Sequence, residues 1–197
     1  LKECLAIAAD KAYLVSDRAF GGSDTLATSY IISETVKKVE ELEGKFDAIF
    51  CGKQAIDGDT AQVGPEMAEH LGYPQVTYAL EAEAGDGMLK VKKELEEGAE
   101  IIGVQTPCVV TFTKPAWDPR FPNIKRKLAA NRADIPTLTA ADLPTIDLAR
   151  AGLKGSPTKV KKTFVPQKKQ GGMKIKEEDN AASARKLFAA LSDAGVM

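Results

Sequence analysis

The segment CGKQAIDGDTAQVGPEMAEHL, residues 51–71, decides how this chain is interpreted. It continues the short apolar run FDAIFCG, which is typical of a strand buried on both faces, and it ends in a stretch with helical apolar spacing. Polar and glycine residues therefore lie at a strand-to-helix junction. In open α/β sheets, ligands bind at the carboxyl ends of the strands. The junction is therefore the first candidate for a binding site.

Pro65 indicates where the helix of this segment begins, because proline lacks an amide hydrogen and fits only the first helical turn. We therefore expect the helix to start near Thr60 to Gln62, which leaves the amides of Ala61, Gln62 and Val63 without helical acceptors. Such amides and the helix macrodipole bind phosphate without a basic side chain. The expected ligand is the diphosphate of an adenine nucleotide. A merely structural turn is the alternative, since strand–turn–helix junctions with Asp-Gly are common.

Asp57 and Asp59 are weak candidates for catalysis or metal binding. They would repel a phosphate beside them, so we assign them to hydrogen bonds with ribose hydroxyls or loop amides, or to helix capping. The segment offers no third ligand for a metal ion and no obvious nucleophile for hydrolysis. We expect no catalytic residues and no metal site.

The order of the remaining elements predicts the fold class. AYLVS and a helix from Thr25 to about Lys38 precede the FDAIFCG strand, and this rhythm favours a parallel sheet. In that helix, Leu26 is expected to be buried and Glu34 to be exposed. We predict an α/β protein with a Rossmann-like parallel sheet.

Three later runs extend this sheet in the prediction: VTYALEAEA, GMLKVKKEL and AEIIGVQTPCVVTFT. Short turns such as AGDG separate them, which favours an antiparallel extension. Alternation places Val76, Tyr78 and Leu80 on one face of the first run.

Two further segments are predicted outside the sheet. Residues 114–136 contain four prolines around a basic stretch, which indicates a protruding loop followed by a helix. Residues 154–176 carry eight lysines and no acidic residue, and an amphipathic helix is expected from about Asn180 to Ala194. The lysines suit either a nucleic-acid or phosphate surface or a solvated arm. Without interleaved aromatic residues, we favour the solvated arm.

Composition excludes several classes of function. The 27 basic and 28 acidic residues nearly cancel, so no global field attracts nucleic acid or an anionic membrane. No apolar run approaches the roughly 18 residues needed to span a bilayer. Cys4, Cys51, Cys108 and His70 show no disulfide or zinc spacing, so we expect reduced thiols in a cytoplasmic protein.

The amino-acid sequences of four segments resemble those of one protein family. GKQAIDGDTAQVGPEMAEHLGYPQ closely resembles the nucleotide-binding segment of electron transfer flavoprotein β subunits, and VKKELEEGAEIIGVQTPCVVT fits that family's signature. PRFPNIKRKLAANRADIPTLTAADL and GLKGSPTKVKKTF extend the resemblance over nearly the whole chain. It implies an adenine nucleotide α-hydrolase-like sheet with a C-terminal arm. It also implies that a strand and a helix present in the family before this point are missing here.

VSDRAFGGSDTLATSY and IDGDTAQVGP look like the family's electron-bifurcating branch. The resemblance implies a β subunit of a heterodimer, in the cytoplasm of an anaerobic bacterium, that binds FAD and oxidises NADH. Electrons would go to ferredoxin or flavodoxin and, through the α-subunit FAD, to an acyl-CoA dehydrogenase-type flavoenzyme. Two alternatives remain: a non-bifurcating β subunit that holds AMP as a structural ligand, and a stand-alone nucleotide-binding protein. Small residues at Gly58 and Ala61 are compatible with FAD.

The resemblance also assigns site residues and domains. The cofactor-binding positions are Gly52, Lys53, Gln54, Ala55, Ile56, Asp57, Gly58, Asp59, Thr60, Ala61, Gln62 and Val63. The partner-binding positions are Arg120, Phe121, Pro122, Asn123, Ile124 and Lys125. Residues 1–145 would form the nucleotide-binding domain, including a recognition loop at about 115–132. Residues 146–197 would form an arm and helix that contact the α subunit or the dehydrogenase.

Some roles stay open at this point. Ile124 is expected to insert into the partner as an apolar anchor, and the alternative is that it packs on the chain itself. Arg18 and Asp24 either touch the dinucleotide or order their loop. Only Phe20 and Tyr30 near the first loop could stack on a flavin ring.

Overall fold

The structure is a computed structural model that describes residues 1–168 and 171–196. It divides into two compact units, residues 1–159 and residues 160–197. The division into a nucleotide-binding domain and an arm at residues 145 and 146 stays a prediction. Lys169 and Gln170 of the predicted arm, and Met197, lie outside the described residues.

The first unit alternates helices and strands. Its helices are α1 (Lys2–Ile7), α2 (Thr25–Glu43), α3 (Val63–Leu71), α4 (Ile124–Arg132) and α5 (Gly152–Gly155). Its strands are β1 (Leu14–Val15), β2 (Ala48–Gly52), β3 (Gln75–Gly85), β4 (Met88–Leu95), β5 (Gly98–Gln105), β6 (Cys108–Phe112) and β7 (Thr137–Leu138). The second unit contains α6 (Asn180–Asp193), which confirms the predicted C-terminal helix.

One sheet of five strands forms the core, in the order β2-β6-β3-β4-β5. Strands β2, β6 and β3 are parallel, and β4 and β5 add to β3 in antiparallel fashion. Cys108, Val109 and Val110 of the interior strand β6 are fully buried. The predicted burial of β2 on both faces was wrong, because β2 lies at the edge of this sheet and Phe50 is 57% exposed. The predicted α/β class, with a parallel sheet and an antiparallel extension, is confirmed.

Strand β1 does not join this sheet. It pairs in parallel with β7, which places Leu14 opposite Thr137 and Val15 opposite Leu138. The two strands lie more than a hundred residues apart in sequence, so local pattern could not reveal that β1 pairs with β7 instead of with the strands of the core sheet.

The predicted burial of α2 was wrong at two positions. Leu26 is exposed, whereas the side chain of Glu34 is only 5% exposed. The Glu34 carboxylate accepts hydrogen bonds from the Lys37 ammonium at 2.7 Å and from the Thr145 hydroxyl. Burial pushes the pKa of Glu34 upward, but these hydrogen bonds and the charges of Lys37 and Arg150 outweigh it and leave the pKa below its ordinary value. A distant residue, Thr145, thus makes this burial tolerable.

The alternation predicted for the first run of the extension is interrupted. Val76 and Ala79 are buried, and the register of β3 shifts between them, so Tyr78 is 37% exposed. Tyr78 has a φ of 58°, which is unusual for an aromatic residue, and its amide donates to the Thr111 hydroxyl at 3.2 Å. This β-bulge turns the Tyr78 ring toward the Lys53 ammonium, which lies 5.1 Å from the ring centroid.

Helix α3 lies directly on the sheet because Gly64 has no side chain. A Cβ atom added at Gly64 would meet Thr111 Cγ2 at 2.4 Å and Cys51 Sγ at 3.0 Å. Gly64 is the second residue of α3, while Cys51 and Thr111 belong to β2 and β6. The first turn of the helix is therefore held against the ends of two parallel strands.

Replacing Gly64 by alanine should destabilise the protein. The added methyl group overpacks a closed contact, for which we expect a loss of about 1–3 kcal/mol in the free energy of unfolding. Gly58→Ala is the matched control, because a Cβ atom there has Ala55 Cβ as its nearest neighbour, at 3.9 Å. Urea denaturation of both variants checks this. Equal losses for the two would contradict the importance of the Gly64 contact.

Candidate nucleotide site at the end of strand β2

The loop between β2 and α3 is ordered by its own hydrogen bonds. The amide of Lys53 donates to the Phe112 carbonyl at 2.8 Å and thereby continues the pairing of β2 with β6. The amide of Asp59 donates to the Ala55 carbonyl at 3.1 Å and closes a turn. The side-chain amide of Gln54 donates to the Asp59 carboxylate. Asp59 therefore has a partner within the loop itself.

The backbone just before α3 has an unusual shape. Asp59 and Ala61 have φ values of 51° and 54°, and Gln62 follows in a right-handed conformation with φ −98° and ψ −34°. A left-handed residue next to a right-handed one turns successive amides into a concave surface that binds anions. Helix α3 begins at Val63, slightly later than the predicted range, and the first helical hydrogen bond runs from Glu66 to the Gln62 carbonyl at 3.0 Å.

The amides of Ala61, Gln62 and Val63 are the candidate phosphate donors. Within residues 1–168 and 171–196, none of these three amides donates a hydrogen bond. Gln62 caps the helix without a side-chain hydrogen bond, so nothing from its own side chain covers the amides. The arrangement provides three available donors and the positive end of a helix dipole at one point.

Two residues that sequence reasoning missed lie beside this point. The hydroxyl of Thr25, at the start of α2, donates to Gln62 Oε1 at 3.0 Å and lies 3.4 Å from Glu66 Oε1. The other carboxylate oxygen of Glu66 is buried and has no hydrogen-bond partner among the described residues. Two helix starts therefore meet here. Asp24 is a typical helix-capping residue and marks the start of α2 in the sequence. This signal could have identified Thr25 as a residue at a helix start beside the candidate site.

Asp24 orders its loop rather than presenting a free carboxylate to a ligand. Its oxygens accept from the amide of Ala27 at 3.0 Å and from the amide and hydroxyl of Thr158 at 2.9 and 2.8 Å. Its own amide donates to the Ser156 hydroxyl at 2.8 Å. Burial alone would raise the pKa of Asp24. The hydrogen bonds with Ala27, Thr158 and Ser156 together outweigh this effect of burial, so the pKa of Asp24 lies below its ordinary value. Arg18 is exposed, and neither role predicted for it is tested.

A cleft of about 520 Å³ opens beside the first residues of the same loop. It is lined by Gly52, Lys53, Gln54, Glu94, Phe112, Thr113 and Lys114. The predicted cofactor-binding positions are therefore divided between two places. The first three line the cleft and the last three form the start of α3, whereas Ile56, between them, is fully exposed.

The described part of the chain offers neither a metal-binding cluster nor a membrane-spanning helix. The described residues contain no group of three or more His, Cys, Asp or Glu side chains that could hold a metal ion. In the same part of the chain, no helix is long and apolar enough to cross a membrane.

The predicted partner-binding positions lie in a loop and at the start of α4. Residues 113–123 form neither helix nor strand, and Asn123 caps α4 by accepting the Arg126 amide at 2.8 Å. Ile124 is the first helical residue and is 80% exposed, so it does not pack on the chain itself. Phe121 is 95% exposed. Their role in binding a partner stays a prediction.

Comparison with known proteins gives these observations a context. Residues 1–143 match the family model described as the electron transfer flavoprotein domain. The chain belongs to the electron transfer flavoprotein family. It is 48% identical over 186 residues to the electron transfer flavoprotein subunit beta of Megasphaera elsdenii. The aligned region covers 93% of this chain and 68% of that relative.

Two further relatives of this electron transfer flavoprotein chain are named as parts of larger enzymes. Subunit CarD of the caffeyl-CoA reductase–Etf complex of Acetobacterium woodii is 43% identical over 175 residues, covering 89% of this chain and 65% of that relative. The electron transfer subunit gamma of acryloyl-CoA reductase from Anaerotignum propionicum is 43% identical over 183 residues, covering 91% of this chain and 68% of that relative.

This electron transfer flavoprotein chain therefore spans about two thirds of the length of these relatives. Membership of the family gives it a redox role in electron transfer. The similarity to β subunits implies an α subunit as its partner.

The lowered pKa of Asp24 predicts a pH-dependent contribution to stability. A carboxylate whose pKa is lower in the folded state than in the unfolded state stabilises the folded protein at pH values above its unfolded pKa. This stabilisation is lost as the pH falls through the folded-state pKa. Asp24→Ala should therefore cost about 0.5–2 kcal/mol at pH 7 through the lost helix cap. The difference from wild type should shrink as the pH falls below the ordinary value of 3.8.

Urea denaturation of wild type and Asp24→Ala between pH 7 and pH 3 measures this difference. Asp10→Ala serves as the control, because that carboxylate is almost fully exposed and its contact with Arg126 is long, at 3.8 Å. A difference for Asp24→Ala that is independent of pH would show that its charge is not involved.

Proposed function

We propose that this chain is the β subunit of a bifurcating electron transfer flavoprotein. The complex would oxidise NADH, which delivers two electrons. One electron would reduce ferredoxin or flavodoxin, and the other would pass through the FAD of the α subunit to an acyl-CoA dehydrogenase-type flavoenzyme. The names of the relatives support this proposal, since two of them serve a caffeyl-CoA reductase and an acryloyl-CoA reductase.

The availability of the amides of Ala61, Gln62 and Val63 carries the cofactor assignment. Three donors at a helix start suit a dinucleotide's diphosphate, and there is no basic side chain among these three residues or the first turn of α3. Ala61 presents only a methyl group, which leaves room for the larger cofactor. One carboxylate oxygen of Glu66, beside Thr25, is buried without a partner among the described residues, and a hydroxyl of the ligand could donate to it.

FAD, when bound, supplies hydride acceptance from NADH and one-electron transfer. The chain's own residues bind and orient it: the amides from Ala61 to Val63 hold the diphosphate, and the Thr25 hydroxyl fixes the side chain of Gln62. We assign no catalytic acid or base to the chain, because this chemistry requires position and electrostatics from the protein. Residues 120–125 would contact the dehydrogenase, and the arm would contact the α subunit.

AMP as a structural ligand is the alternative, because the same three amides would hold a single phosphate equally well. The chain would then be a β subunit of a non-bifurcating complex that shuttles electrons from dehydrogenases.

Cofactor extraction from the complete heterodimer decides between these two functions. Two FAD per heterodimer supports bifurcation, whereas one FAD and one AMP overturns it in favour of the structural role. Anaerobic titration with NADH provides the second test. Both flavins should be reduced, and reduction of ferredoxin should depend on the presence of the high-potential acceptor.

Ala61→Glu should weaken cofactor binding, because a carboxylate would lie against the diphosphate. We expect the dissociation constant to rise at least about tenfold, equivalent to about 1.4 kcal/mol. Ala61→Gly keeps the amide and suits the positive φ, so it should retain the cofactor. Ala84→Glu, on the exposed end of β3, controls for added charge. The measurement is the cofactor content of each purified heterodimer and its dissociation constant by calorimetry. Normal binding by Ala61→Glu would place the diphosphate elsewhere.

A further inference from the structure

The segment that precedes α4 exposes two aromatic side chains. Trp117, the only tryptophan of the chain, is 66% exposed, and Phe121 is still more exposed. Both lie in the loop of residues 113–123, which we call the aromatic loop. Large apolar side chains exposed four residues apart in one loop mark an interaction site more often than a structural role.

Prolines restrict the aromatic loop. Pro115, Pro119 and Pro122 fix three φ angles within eleven residues and flank both aromatic residues. A restricted loop loses less conformational entropy when it binds a partner, so its aromatic side chains are better suited to serve as anchors.

Helix α4 continues the apolar character of the loop. Ile124 and Leu128 lie one turn apart on the same helical face, and both are exposed. Arg126 fastens this helix to the end of α1 by donating to the Ala8 carbonyl at 3.1 Å. The exposed apolar residues therefore extend from a restricted loop onto a fastened helix.

The same region carries a concentrated positive charge. Between residues 113 and 127 there are five basic side chains and one acidic side chain, a local net charge of +4 in a chain whose overall charge is −1. Of these basic side chains, only Arg126 forms an ion pair within the described residues, with Asp10 at 3.8 Å. Lys114, Arg120, Lys125 and Lys127 are therefore available to an acidic partner.

We infer that Trp117 is a second anchor beside Phe121, and that this surface fits a protein with an apolar pocket rimmed by carboxylates. The inference rests on the proposed function, which assigns partner binding to residues 120–125, and adds Trp117 and the partner's charge to it. A protein is favoured over an anionic membrane because Asp118 lies directly beside Trp117. A carboxylate there would be repelled by anionic headgroups, whereas a protein can offer it a hydrogen-bond donor.

The test uses the complete heterodimer and the acryloyl-CoA reductase of Anaerotignum propionicum as the probe partner. Trp117→Ala should raise the dissociation constant at least about tenfold, as expected for an aromatic anchor, while Trp117→Phe should change it less than about threefold. Raising the salt concentration should weaken the binding of wild type. Ile101→Ala is the matched control, since Ile101 is an exposed apolar residue on β5 outside this surface.

Each of three results obtained with a binding wild-type complex would overturn the inference. The first is unchanged binding by Trp117→Ala when Phe121→Ala and Ile124→Ala weaken binding, which leaves the proposed recognition positions intact. The second is binding that does not respond to salt, which would contradict the inferred carboxylates around the partner's pocket. The third is binding of wild type to vesicles with 30% anionic lipid in preference to the reductase.

A wild-type complex that does not bind the reductase at all also overturns the surface assignment. That result is distinct from failure of the proposed cofactor chemistry, because cofactor content and reduction by NADH are measured on the heterodimer without the reductase.

Discussion

The contact between the first turn of α3 and the sheet is the constraint on which the site depends. Gly64 allows the helix to approach Thr111 and Cys51 so closely that no side chain fits between them. This contact fixes the helix start at the carboxyl ends of β2 and β6. Residues 53–62 then connect β2 to this fixed helix start, and the positive φ values of Asp59 and Ala61 lie in that connection. The orientation of the three available amides follows from this packing.

A second set of contacts, far away in sequence, supports the same edge of the sheet. Thr158 and Ser156 bind Asp24, and the next residue, Thr25, donates to Gln62 at the start of α3. Glu34 and Tyr30, further along α2, bind Thr145 and the amide of Asp147. Residues 145–158 therefore run along α2 and hold its first turns beside the candidate site. The candidate site at residues 61–63 is therefore supported by residues more than eighty positions later in the chain.

The sequence predicted features that depend on local chemistry. Pro65 placed the start of α3 close to its observed position, and the apolar runs gave both the parallel strands and the antiparallel extension. Features that depend on distant partners were missed. The pairing of β1 with β7, the burial of Glu34 against Thr145, and the proximity of Thr25 to Gln62 each join residues at least 37 positions apart. The bulge at Tyr78 was missed because alternation alone does not reveal a register shift.

The absence of basic side chains from Ala61 to the first turn of α3 has a consequence for how tolerant the site is of change. A phosphate held there by main-chain nitrogen atoms, as we propose, would be indifferent to most side-chain replacements around it, provided that the signs of the backbone torsions and the closeness of helix and sheet are preserved. Such a scaffold can exchange a short mononucleotide for a long redox coenzyme by altering only the walls of the pocket. In such a site, the main-chain amides that bind the phosphate are separate from the side chains that select the ligand.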